Sequence, residues 1–256
     1  MNFIISANTD VGAKARNQDS LSVLSLNTSQ GRMAFAVLCD GMGGLQMGEV
    51  ASASVTDAFR RWATEELPEL CDRPLDEAQI CRRWTQIVRD MNQRIAEFGK
   101  SQGADTRLGT TVVAILLTQT RYFLLNVGDS RAYELYRGIR QLTTDHSVVA
   151  REVALGHITE EQAKHHPQRN VLLHCVGASP EVTPDILTGP TQQEAVYLLC
   201  SDGFRHEISA QEIYESLQPA ALLDEYAMHS RGQELVELNK QRGERDNISL
   251  ILVRTF

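Results

Sequence analysis

Four aspartates occupy the same kind of place in this sequence. Asp40 follows the run AFAVLC, Asp129 follows FLLNVG, Asp202 follows VYLLCS, and Asp246 immediately precedes NISLILV. A carboxylate at a strand end is held by the sheet and still reaches water, so several such residues can serve one site. Asp40 and Asp202 each precede a glycine, Gly41 and Gly203, which lets the backbone turn and come close to whatever the carboxylate binds. Backbone carbonyls can then act as ligands as well. Gathered carboxylates repel one another unless cations neutralise them, and oxygen-only donors favour Mg²⁺ or Mn²⁺ over Zn²⁺. Two such ions, roughly 3.5–4 Å apart, can clamp a phosphate ester and lower the pKa of the water between them. A single Asp-Gly after an apolar run is most often only a turn. Four aspartates at strand ends, inside richer motifs, favour a shared site.

The elements that must hold these residues are legible as apolar runs. Leu21–Leu26, Met33–Cys39, Thr110–Leu117, Tyr122–Val127, Arg131–Tyr136, Ala195–Cys200 and Ile248–Val253 read as strands. The short links Gln119-Thr120-Arg121 and Gly128-Asp129-Ser130 predict antiparallel hairpins. Helical spacing appears twice, in Ala51, Val55, Ala58, Phe59 and Trp62, and in Ile80, Trp84, Ile87, Met91, Ile95 and Phe98. Apolar stripes at that spacing are packing surfaces rather than a ligand box. A third helical region, Gln211 to about Lys240, opens with Ser209 and Glu212 spaced as a capping box, with breaks expected near Pro219 and Gly232. Two strand groups, each with helices to bury, fit an α+β fold. The expected architecture is a four-layer α/β/β/α sandwich, with two mainly antiparallel sheets packed together and helices on both outer faces. The polar, histidine-rich segment 144–177 contains a capped helix beginning at Thr159. It reads as an excursion from the core rather than a second domain, so residues 1–256 are taken as a single domain.

Composition narrows the partners. A net charge of −8 with no basic run disfavours nucleic acid. The opening residues MNFIISANTDVG lack the features of a signal peptide, and no segment approaches membrane-spanning length. A cytoplasmic protein with no membrane partner is expected. The five cysteines, Cys39, Cys71, Cys81, Cys175 and Cys200, form no CxxC pair or zinc-spaced cluster, and read as reduced core thiols.

Longer motifs join these signals: TDVGAKARNQDS (9–20), VLCDGMGGLQMGEVAS (37–52), GTTVV (109–113), NVGDSRAY (126–133), QLTTDHSVV (141–149), GHITEEQAKHHPQRNVL (156–172), LLCSDGF (198–204) and RDNISLILV (245–253). In this order they resemble the bacterial branch of the protein phosphatase type 2C family, metal-dependent serine/threonine phosphatases, over essentially the whole chain. The resemblance implies a β-sandwich flanked by helices and two divalent cations, Mn²⁺ or Mg²⁺. Asp40 would bridge both ions, with the Gly41 carbonyl on one. Asp202 and Asp246 would bind the other, Asp19 would hold coordinated water, and Asp129 would help bind a third, weaker ion. The segment 144–177 would be the flap beside the active site. The implied activity is hydrolysis of phosphoserine and phosphothreonine by cation-activated water, opposing a bacterial Ser/Thr kinase, in a monomer.

Three departures bear on mechanism. The family usually carries a phosphate-contacting arginine five residues before the Asp19 position, where this chain has Lys14, with Arg16 two residues later. Lysine offers a point charge where arginine offers a bidentate fork, so either cation is a candidate. Eukaryotic relatives commonly place histidine where this chain has Met42, and a thioether cannot donate a proton. His146 and His206 are distant candidates for that role. Gln18 replaces an acidic residue often found before the Asp19 position. Two other readings are a two-metal phosphoesterase acting on small molecules and a pseudophosphatase that only binds phosphoproteins. The first turns on substrate, and the second is disfavoured because every implied metal aspartate is present.

Overall fold

The computed structural model describes residues 1–43, 47–103 and 108–256. Two sheets carry the chain. The first has five strands in the order β1 (Phe3–Asp10), β11 (Ile248–Thr255), β10 (Val196–Cys200), β7 (Arg131–Leu135) and β8 (Ile139–Gln141). The second runs β2 (Asp19–Thr28), β3 (Gly31–Gly43), β5 (Val112–Leu117), β6 (Arg121–Val127) and β9 (Asp185–Pro190), with β4 (Leu108–Thr110) paired to the end of β3. Every strand pairing is antiparallel.

The layers follow from the two-residue period of a strand. Along β3, Met33, Phe35, Val37 and Cys39 point to one side, and Ala34, Ala36 and Leu38 to the other. The first set packs under α1 (Gly48–Arg61) and α3 (Glu77–Gln102), with the short α2 (Leu67–Leu70) between them. There Trp84 is fully buried and meets Trp62, Phe59 and Phe35 edge to face, with ring centroids 5.2, 6.0 and 6.3 Å away. The second set meets Tyr197, Leu199, Ile251 and Val253 of the facing sheet. On that sheet's outer side, Leu198, Cys200, Leu250 and Leu252 pack against α6 (Ala210–Leu217) and α7 (Glu225–Gln241). The result is the α/β/β/α order read from the sequence.

The segment 144–177, expected as a flap, holds two short helices, α4 (Val148–Ala154) and α5 (Glu160–Lys164). Ser147 caps the first, and Thr159 with Gln162 forms a full capping box on the second. Isolated bridges Ser147↔Leu172 and Thr110↔Val176 tie both ends of the excursion down.

Four details depart from the expected elements. The link Gly128-Asp129-Ser130 is not a hairpin: β6 and β7 lie in different sheets, so this turn crosses the seam between them. Strand β3 does not stop before Asp40 but runs on to Gly43, paired with β2 and then β4. The third helical region does break at Pro219, but Gly232 lies inside α7. A Cβ there would come 2.4 Å from Asn8 Oδ1, so the glycine lets the helix lie close on β1. Strands β1, β8 and β9 carry weak apolar patterns and were not among the expected runs.

Removing the Trp84 ring empties the junction of β3 with α1 and α3. Trp84→Ala is expected to cost about 3–5 kcal/mol, read as a lower denaturant midpoint. A loss below about 1 kcal/mol would contradict this packing.

Candidate active site

The seam between the two sheets opens where Asp19 and Asp40 stand. They are direct partners in the β2–β3 register, so their side chains share one face of the sheet. The alternation that turns Leu38 and Leu21 toward the opposite sheet puts both carboxylates on that inner face. Across the seam, Asp202 begins a short helical turn after β10, and Asp246 lies just before β11. Asp129 sits on the crossing turn between the sheets. All four aspartates named from strand ends, and Asp19, therefore arrive at one edge of the sandwich.

Backbone contacts hold them there. The Asp40 amide donates to Thr111 Oγ1 at 2.9 Å, while its carbonyl accepts from the Thr111 amide and from Thr110 Oγ1, both at 2.9 Å. Thr111 Oγ1 also meets Ser130 Oγ at 2.7 Å, which ties Asp40 to the Asp129 turn. Gly41 is required by close approach rather than by a turn: a Cβ would fall 2.3 Å from the Gly48 carbonyl and 2.5 Å from that of Gln18. Asn247 accepts from the Gln18 amide at 2.8 Å and donates to the carbonyls of Val11 and Arg16 at 2.9 and 3.0 Å. It fixes the loop that carries Lys14 and Arg16. Neither Thr111 nor Asn247 stood out as functional in the sequence, although both lie inside quoted motifs.

The site's charge is unbalanced. Burial pushes the Asp40 carboxyl well above the usual range, and Asp19, Asp202, Asp129 and Asp246 push it further. Burial likewise pushes Asp19 up to about 7, with Asp202 and Asp246 adding to it and nearby Ser249 and Ser201 opposing it. Both oxygens of Asp19 and Oδ1 of Asp202 are shut off from solvent, with no hydrogen-bond partner among the described residues. Asp129 is also raised to about 7, by burial first and Asp202 second, while Arg205 and His206 pull it down. Arg205 donates to the Asp129 carbonyl at 2.9 Å and lies 3.7 Å from its carboxylate, so this aspartate already has a cationic neighbour. Among the described residues no three acidic, imidazole or thiol side chains close into a ready metal cage. Buried oxygens without partners are costly, and an all-oxygen set suits a hard divalent cation. The residues present fit such ions.

The cations divide unequally. Lys14 Nζ lies 3.1 Å from Asp246 Oδ1, on a side chain about half exposed. Arg16 pairs instead with Glu49 at 2.9 Å, and Gln18 reaches the same carboxylate at 3.3 Å. His206 Nε2 is 3.5 Å from Asp202 Oδ2. His146 is committed elsewhere: Nδ1 accepts from the Gly128 amide at 3.3 Å, and Nε2 meets Asp185 at 3.1 Å. Met42 pairs with Gly109 in the β3–β4 extension. Residues 44–46 of the 37–52 motif lie outside the described residues.

A family profile described as Protein phosphatase 2C matches residues 10–251. The chain belongs to this family. Serine/threonine phosphatase stp of Listeria innocua is 32% identical over 252 residues, spanning 96% of this chain and 93% of its own. The crystal structure of serine/threonine phosphatase Stp1 from Staphylococcus aureus superposes with a TM-score of 0.84 at 30% identity, covering all of this chain and 96% of that one. The catalytic domain of the serine/threonine protein phosphatase PstP, solved in complex with two manganese ions, gives a TM-score of 0.77 at 29% identity, with 98% of this chain and 97% of that one covered. This phosphatase 2C chain is thus a protein Ser/Thr phosphatase, a hydrolase of the bacterial branch, with the two-sheet sandwich of its relatives. The small-molecule phosphoesterase and pseudophosphatase readings are not favoured.

The raised carboxyls give the metal-free chain a pH signature. Asp19 has a folded pKa of about 7 against an ordinary 3.8, so between those values the folded chain holds a proton that the unfolded chain has released. Stability must then fall as pH rises through that window. In EDTA, the melting temperature is expected to drop from pH 5 to pH 8, and Asp19→Asn to flatten the slope. A flat or rising wild-type profile would contradict the electrostatics.

Proposed function

We propose that Asp40, Asp202 and Asp246 hold two divalent cations, Mn²⁺ or Mg²⁺, with the Gly41 carbonyl as a further ligand and Asp19 orienting coordinated water. The observation that carries this reading is the burial of unpartnered acid oxygens on Asp19 and Asp202, beside an Asp40 carboxyl pushed far above its ordinary range. When bound, such ions lower the pKa of water and offset charge on the attacking and leaving oxygens of a phosphate ester. The chain's own part is placement. Paired β2 and β3 hold Asp19 and Asp40 side by side, and the β10 and β11 ends present Asp202 and Asp246 from across the seam.

Substrate phosphate requires a cation of the chain as well. Lys14, half exposed and beside Asp246, is the better placed of the two candidates, because Arg16 is drawn toward Glu49. The substrates we infer are phosphoserine and phosphothreonine in proteins, in keeping with the names of the relatives. The enzyme would act as one domain and as a monomer in the cytoplasm, opposing a Ser/Thr kinase. No helix among the described residues is long and apolar enough to cross a membrane, which accords with that location. Asp129 could assist a third, weaker ion, although Arg205 already supplies positive charge beside it.

Three substitutions test the proposal. Asp40→Asn is expected to lower Mn²⁺-dependent phosphopeptide hydrolysis by on the order of 10²–10³-fold or more, with the fold intact by circular dichroism. Retained activity would refute the metal role. Lys14→Ala is expected to raise KM about tenfold, the loss of one charge-assisted contact, and Arg16→Ala to change it less. The reverse order would assign the phosphate contact to Arg16.

A further inference from the structure

Glu244 and His206 stand just outside the aspartates, on two different loops. Glu244 lies two positions before Asp246, on the approach to β11, and His206 lies just beyond the helical turn that begins at Asp202. The Glu244 side chain is nearly closed to solvent, at 8% exposed, and both its oxygens are committed. Oε1 accepts from the amides of Arg245 at 2.6 Å and Asp246 at 2.7 Å. Oε2 meets His206 Nδ1 at 3.0 Å. A carboxylate only accepts, so Nδ1 carries a hydrogen, and with a second carboxylate facing Nε2 the ring holds Asp202 as an imidazolium, protonated on both nitrogens. The other ring nitrogen, Nε2, lies 3.5 Å from Asp202 Oδ2, while Asp202 Oδ1 is buried with no partner among the described residues. Asp202 therefore has one oxygen against the imidazole and one uncommitted.

An ordinary surface pair of this type contributes little to stability and orders little. This pair differs because its acid is buried and grips the backbone that carries Asp246, while its ring abuts the carboxylate of Asp202. The chain Asp246 amide, Glu244, His206, Asp202 thus joins two ligand-bearing loops that are distant in sequence. We propose that Glu244 and His206 form one brace for metal binding: Glu244 sets both the Asp246 backbone and the imidazole, and His206 sets the rotation of Asp202 so that its free oxygen can take a cation. Both are positioning residues, and neither touches substrate. The brace rests on the reading of Asp202 and Asp246 as ligands. Outer partners of this kind alter metal affinity about 10–100-fold when removed.

Isothermal titration of Mn²⁺ into EDTA-stripped protein tests it, using wild type, Glu244→Gln, His206→Gln, the double variant and Asp202→Asn. Each single brace variant should bind Mn²⁺ about 10–100-fold more weakly, and the double should lose no more than the worse single, because one brace is broken either way. Saturating Mn²⁺ should restore phosphopeptide turnover with KM unchanged. Melting curves report folding. If Glu244→Gln unfolds, His206→Gln carries the test alone, since that side chain is a quarter exposed. Unchanged or tighter Mn²⁺ binding in His206→Gln, additive losses in the double, or a deficit that saturating Mn²⁺ does not restore would overturn the brace. If Asp202→Asn bound Mn²⁺ as wild type does, the ligand assignment beneath the brace would fail instead.

Discussion

The carboxylates of Asp19 and Asp40 share one face of the β2–β3 ladder, and their burial beside Asp202, Asp129 and Asp246 is the constraint around which this end of the molecule is built. Like charges in a partly dry seam raise one another's proton affinity. Among the described residues, no cation pairs with Asp19 or Asp40 to relieve that repulsion. The chain places its basic groups at the margin instead, with Lys14 beside Asp246 and Arg205 beside Asp129. What remains at the centre is a set of hard oxygen donors, and such a set is completed by divalent ions.

Holding repelling groups in place requires a stiff frame. Antiparallel ladders supply it, and each sheet is backed by helices through a continuous apolar layer. The inner layer of Ala34, Ala36, Leu38, Tyr197, Leu199 and Ile251 keeps the sheets together below the site. Polar ties then fix the loops at the rim. Thr111 links Asp40 to Ser130, Asn247 pins the Lys14 loop, and Arg131 grips Asp145 at the root of the flap through two 2.8 Å contacts. Because Arg205 also reaches Asp145 at 3.3 Å, the flap root and the Asp129 turn share a guanidinium.

Much of this was legible in the sequence, for physical reasons. Strands such as Met33–Cys39 and Ala195–Cys200 are buried on both faces and read as continuous apolar runs, while the stripes of α1 and α3 repeat at helical spacing. The acid residues announced themselves because a polar residue at the end of such a run is conspicuous. Other features left little local trace. Strand β9 alternates exposed and half-buried positions with none fully buried, so its pattern is faint. The Gly128-Asp129-Ser130 link resembles a hairpin turn, yet nothing local says that β7 joins the other sheet. Gly232 looked like a helix breaker because its close contact with β1 is a long-range fact. The pairing of Arg16 with Glu49 and of Lys14 with Asp246 likewise depended on tertiary placement that neighbouring residues do not encode.

Family membership fixes the reaction class, and the geometry explains how an acid-rich seam can serve it. In the proposed site, the acids from both sheets converge on ions rather than merely on each other. Anomalous diffraction at the manganese absorption edge, from crystals soaked in Mn²⁺, addresses it directly. Two strong peaks between Asp40 and the Asp202–Asp246 pair are predicted. An empty seam, or manganese bound only elsewhere on the surface, would contradict the account.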